Sequence, residues 1–86
     1  MKTQVVFRKF RDGGDVIALF PCIHEGPGLI SSYMHIGQHG PASWRGCLAD
    51  SRNASPAEYA PLLSELASIG YEPIVCKVVR GRILPL

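Results

Sequence analysis

Nothing in this sequence approaches the apolar run of roughly 20 residues that a membrane span needs. The longest apolar stretch, Val16 to Phe20 continuing past Pro21 to Ile23, reads as a buried strand and its exit. No long apolar region follows the basic start, so no secretory signal is expected. Cysteine is scarce and odd in number. Cys22, Cys47 and Cys76 are far apart, which argues against a disulfide framework and for a reducing, cytoplasmic setting. Acids are missing from both ends. Residues 1–11 hold Lys2, Arg8, Lys9 and Arg11 without one, and residues 77–86 hold Lys77, Arg80 and Arg82 without one. Were the two end segments neighbouring strands, the fold would carry a basic edge. Internal repeats and low-complexity runs are also missing.

What is present suits one small folded domain spanning residues 1–86. The chain is 47% apolar and only 19% charged, with a net charge of +2, which excludes a disordered chain. A domain of this size buries only about 60–65% of its unfolded surface, so its core must be economical.

Residues 3–10 and 15–20 are rich in Val, Ile and Phe and flank Arg11-Asp12-Gly13-Gly14, which predicts an antiparallel hairpin. Its register is open, because either glycine could take the left-handed position. Pro21 is expected to end the second strand, and residues 22–28 read as a loop from their Pro and Gly content. Leu29 to Ile36 predicts a third strand, with Tyr33 and His35 on one face and Ile30, Met34 and Ile36 on the other. The Gly37 to Pro41 segment should break it, and a short fourth strand around Trp44 to Leu48 is expected, with Gly46 as the argument against.

The best-marked element is a helix. Ser55-Pro56-Ala57-Glu58 is a capping box with proline at the first helical position. Tyr59, Leu62, Leu63, Leu66 and Ile69 make one apolar stripe, and Gly70-Tyr71 predicts a Schellman ending. Pro61 predicts a bend, or a main helix that starts there. Pro73 to Arg80 reads as a final strand. The fold class is therefore α+β: a small antiparallel β-meander of three or four strands, one α-helix and a closing C-terminal β-strand. One helix covers only one sheet face, yet several of Val6, Ile17, Leu19, Val75 and Val79 should occupy the other. That face must be curled shut, covered by the 22–28 loop or paired with a second copy, and a two-fold homodimer is the expectation placed first.

Val5 to Phe10, Gly14 to Pro21, Ser32 to Gly40, Glu58-Tyr59 and Ser68 to Tyr71 form an ordered series across most of the chain. The series resembles a family of short uncharacterised bacterial proteins often carried by phages and plasmids, with Tyr-x-His-Ile-Gly-Gln-His (from Tyr33 to His39) as its most distinctive part. Pro61 departs from the family, where an ordinary helix former is expected. The resemblance implies a bacterial or mobile-element origin and transfers no catalytic residue.

Candidate chemistry is sparse. Cys22-x-His24 and His35-x-x-x-His39 offer ligands that zinc accepts, but no Cys-x-x-Cys pair is present, and an i,i+4 histidine pair suits a helix rather than a strand end. Cys47 could face His35 across the expected second hairpin as a nucleophile and base, against the ordinary reading of a free cysteine as apolar filler. No phosphate loop, acid pair or serine-centred motif appears, so no catalytic residue, metal or cofactor is assigned. Arg8, Lys9 and Arg11, interleaved with Phe7 and Phe10, are candidate nucleic-acid contacts, set against a solvated edge beside a core. Tyr33, His35, Gln38, His39 and Trp44 are candidate partner contacts, set against a role in completing the core. The expected function is a non-enzymatic accessory protein that binds a macromolecule. A protein partner or a second copy comes first, a weakly bound nucleic acid next, and a small metal- or thiol-dependent enzyme is the other class.

Overall fold

The computed structural model describes residues 2–35 and 38–86. Among them are seven strands and two helices in the order β1 (Lys2–Phe10), β2 (Val16–Gly26), β3 (Leu29–Met34), β4 (Gln38–Ser43), α1 (Trp44–Ala49), β5 (Ser51–Asn53), α2 (Pro56–Ser68), β6 (Glu72–Val79) and β7 (Arg82–Pro85). They form one sheet with strand order β4-β3-β2-β1-β6-β7. The chain is thus α+β, with more strands and one more helix than the meander expected from sequence.

One edge of β1 serves two partners. Lys2 to Val6 run parallel to Glu72 to Cys76, and Arg8 to Phe10 run antiparallel to Ser51 to Asn53. The Asn53 side chain closes the fork between them. Its amide donates to the Val78 carbonyl at 2.8 Å, and its oxygen accepts from the Val78 N–H at 3.1 Å. Every other strand pairing is antiparallel.

Four local expectations are corrected. Residues 22–28 are not a free loop, because β2 continues to Gly26 and its register against β3 jumps between Phe20 and His24. Pro21 sits in that bulge, where no ladder N–H is required. The segment from Gly37 to Pro41 is not simply a break either: Gln38 to Ser43 form β4, while Ile36 and Gly37 lie outside the described residues. An edge strand tolerates Gly40 and Pro41 because one side of its backbone has no ladder to complete. Trp44 to Ala49 are helical rather than extended, capped by the Ser43 hydroxyl, which accepts from the Gly46 N–H at 3.1 Å. Finally, α2 starts at Pro56 rather than at Pro61 and continues to Ser68 with Pro61 inside it. Pro61 and Ala57 are both exposed, so the Ala57 carbonyl that loses its partner faces water.

The caps of α2 form as expected. Ser55 and Glu58 exchange both capping-box bonds, and Gly70 (φ 108°) closes a Schellman ending with Gly70 N–H on Ala67 and Tyr71 N–H on Leu66. In the first hairpin both Gly13 and Gly14 take positive φ, and the register sets Lys9 opposite Val16.

Two cores lie on opposite faces of the sheet. Under α2, Val5, Phe7, Ala18, Phe20 and Tyr33 meet Tyr59, Leu62 and Leu66, with Phe7 stacked on Tyr59 at 4.6 Å between ring centroids. On the other face Val6, Ile17, Leu19, Ile30 and Cys76 are buried, packed by Trp44 and Cys47 of α1 and by Ile83 of β7. Ile30 and Trp44 from one side of the sheet and Ile83 from the opposite edge strand line one cavity of about 290 Å³, so the sheet curls until its ends approach. The apolar residues of the second face are thus packed by this chain's own α1 and β7. Val75 and Val79 belong to the α2 side instead, by register with Val5 and by strand alternation.

Candidate functional site

Strand alternation puts Tyr33 and His35 on the α2 side of β3, and the β3–β4 register sets His39 opposite Tyr33. Residues some 30 positions away in sequence then come to them. Glu65 of α2 accepts from the Tyr33 hydroxyl on one oxygen and lies 2.9 Å from His35 Nδ1 on the other. His39 Nε2 lies 3.1 Å from the Tyr71 hydroxyl, and its ring meets Tyr33 edge-on at 4.6 Å. Tyr71 in turn stacks on Phe20 at 5.1 Å. Tyr33 and His35 therefore join the β3–β4 edge to α2, and His39 joins it to Tyr71 just past the helix. The Tyr33 ring is only 1% exposed, so it belongs to the core rather than to a rim.

Gln38 is exposed and lines an open cleft of about 280 Å³ with His35, Asp15, Glu58, Pro61 and Leu62. Trp44 is on the opposite sheet face, half-buried in the second core, and does not join this group. Cys47 also packs on that second face, so it does not face His35. Burial, followed by the Asp50 charge, pushes the Cys47 thiol above its ordinary value, the wrong direction for a nucleophile. Burial raises Cys76 as well. No three His, Cys, Asp or Glu side chains among the described residues stand close enough to share a metal ion.

The basic segments do come together. Because β1 and β6 are parallel neighbours, the basic ends of both lie at one end of the sheet, with β5 and β7 alongside. The cations divide by burial. Arg8 is 7% exposed and its guanidinium is used internally: Nε donates to Ser51 Oγ at 2.9 Å, and the terminal nitrogens donate to Asn53 Oδ1 at 2.8 Å and to the Ser51 and Leu48 carbonyls at 2.6 and 3.2 Å. It clamps α1 and β5 to β1. Arg11 bonds the Ala49 carbonyl at 3.2 Å. Lys9 and Arg52 converge on Glu58, with Arg52 bidentate at 2.8 and 2.7 Å and Lys9 at 2.9 Å.

Those bonds, Arg52 first, then the Ser55 backbone and Lys9, hold the Glu58 carboxyl well below the usual carboxylate range. A depressed carboxyl stabilises the fold above its unfolded pKa of about 4.3, and this contribution is lost as pH falls below that value. Urea midpoints followed from about pH 7 to about pH 2 should drop below about pH 4.3, and Glu58→Gln should flatten that drop. An identical acid profile for the variant would contradict the assignment.

Lys77, Arg80 and Arg82 are different. All three are exposed, and none has an ion-pair partner among the described residues. They sit on the β6–β7 hairpin, whose two-residue turn Arg80-Gly81 has φ of 51° and 76°. Cross-strand pairs Lys77–Leu84 and Val79–Arg82 put two cations and two aliphatic side chains on the α2 side in a diagonal pattern. Sequence reasoning ended the strand at Arg80 and missed this hairpin. The available signal was Arg-Gly between two Val/Ile-containing runs.

No family model matches this chain, no curated protein matches it, and no solved structure matches it. The resemblance to phage- and plasmid-borne bacterial proteins rests on the quoted residues alone.

Proposed function

We propose that the chain is a small accessory protein of bacterial or mobile-element origin that works by binding another protein, with the α2 side of the β6–β7 hairpin as its contact surface. One observation carries this reading. Of the large apolar side chains that the described residues leave exposed, Val79 and Leu84 lie on this side of the hairpin and Leu86 just past it, while Ile74 alternates onto the opposite face with Cys76 and Ile69 ends α2. Small chains gain stability from every apolar group they bury, so exposed aliphatics gathered on one hairpin mark a surface meant for a partner. Tyr33, His35 and His39 then serve as the brace between sheet and helix rather than as the contact itself.

A nucleic-acid partner is the second reading, favoured by the cations that the parallel β1–β6 pairing gathers. No aromatic side chain accompanies them on the hairpin, which leaves phosphate contacts without base stacking.

The test is size exclusion of native host lysate containing the tagged chain. Wild type should elute well above its 9.4 kDa mass in a nuclease-resistant complex, and Val79→Glu with Leu84→Glu should return it to the free position with its circular dichroism unchanged. Elution of wild type as the free chain, or a complex indifferent to both substitutions, would end the proposal.

A further inference from the structure

Resting on that reading, we infer that the hairpin receives an acidic protein segment in which carboxylates alternate with aliphatic side chains. Three observations point the same way.

The first is complementarity. Lys77 lies opposite Leu84 and Val79 opposite Arg82, so cations and aliphatics occupy opposite corners of one small sheet patch. Residues 73–86 contain no acid, and these cations have no ion-pair partner among the described residues. A segment that offers carboxylates and aliphatic groups in alternation satisfies both kinds of corner, whereas a phosphate backbone satisfies only the cations.

The second is strain. Arg80 is the one non-glycine residue with positive φ among the described residues, at 51°, in a turn where Asn, Asp or Gly fits far better. The hairpin tip thus holds a cation despite a backbone conformation that disfavours it, and such retained strain clusters where side chains contact ligands.

The third concerns how the segment is held. In a two-residue hairpin the closing pair, Val79 and Arg82, is hydrogen-bonded, so by alternation Ile83 and Pro85 turn their main chain outward. Pro85 has no N–H to donate. The free edge of β7 is therefore a poor template for an added strand, and recognition falls to the side chains of the patch.

The experiment titrates the labelled full chain with a synthetic peptide of about 15 residues alternating Glu with Leu or Val, its Glu→Gln counterpart, and an oligothymidylate of similar length. The acidic peptide should perturb amide signals from Lys77 to Leu84. Its affinity should fall roughly tenfold between about 50 and about 500 mM salt, and roughly tenfold in Arg82→Glu. Arg80→Asn should weaken binding severalfold in a chain that is folded and no less stable, and Leu84→Ser should weaken it at both salt concentrations. Equal binding of the Gln peptide, perturbations confined to other surfaces, binding of the oligothymidylate alone, or no binding by any probe would each overturn the inference. The protein-binding proposal fails separately. A lysate complex lost in Val79→Glu with Leu84→Glu but retained in Arg80→Asn and Arg82→Glu would keep that proposal and end this inference.

Discussion

Replacing Arg8 by alanine should lower the unfolding free energy by about 3–5 kcal/mol, because it strips donors from two buried and two half-buried acceptors at once. Ser51 Oγ, the Ser51 and Leu48 carbonyls and Asn53 Oδ1 all take hydrogen bonds from this one guanidinium. Arg8 has no carboxylate among those partners. Desolvation, with Arg11 alongside, pulls its pKa below the ordinary value, and the bonds to oxygen offset that cost. Because Asn53 also bridges to Val78, the loss should spread from β5 to β6. Arg8→Lys keeps the charge but not the fork, and should recover only part of the deficit. Urea unfolding measures both. A loss below about 1 kcal/mol for Arg8→Ala would show that the clamp is dispensable.

Pro61→Ala should act in the opposite direction and raise stability by about 2 kcal/mol. A helix-interior proline costs about 3 kcal/mol, while alanine restores up to about 1 kcal/mol of unfolded-chain freedom. In a chain of this size such a gain raises the melting temperature by roughly 10 °C. The substitution is exposed and touches neither core, so the gain should come without repacking. An unchanged or lower melting temperature would mean that α2 depends on the proline.

These cases show what was legible in the chain. The α2 caps and the Asp12–Gly14 turn depend on chemistry within a few residues, so Ser55, Glu58, Gly70 and Tyr71 announced them. α1 did not announce itself, because six residues that include Gly46 have little intrinsic helicity and are held by Trp44 and Cys47 packing on the second core. β4 was hidden by Gly40 and Pro41, which break a central strand but not an edge. The parallel β1–β6 pairing joins residues about 70 positions apart, which no local pattern encodes. The same distance effect divides the candidate residues. Alternation revealed that Tyr33 and His35 share a face, but their partner Glu65 became visible only when α2 crossed the sheet. Arg8, Lys9 and Arg11 read as one cationic cluster, and only burial separates the internal clamp from the surface charges.

Photo-crosslinking in the host cell, with a benzophenone side chain placed in turn at Leu84, at Gln38 and at Arg45, compares three exposed positions of the fold directly. The hairpin position should give a discrete protein adduct that disappears in Arg82→Glu, while the cleft and α1 positions give background only. A discrete adduct at Gln38 or Arg45 with none at Leu84 would place the contact surface elsewhere and contradict the role assigned to the β6–β7 hairpin.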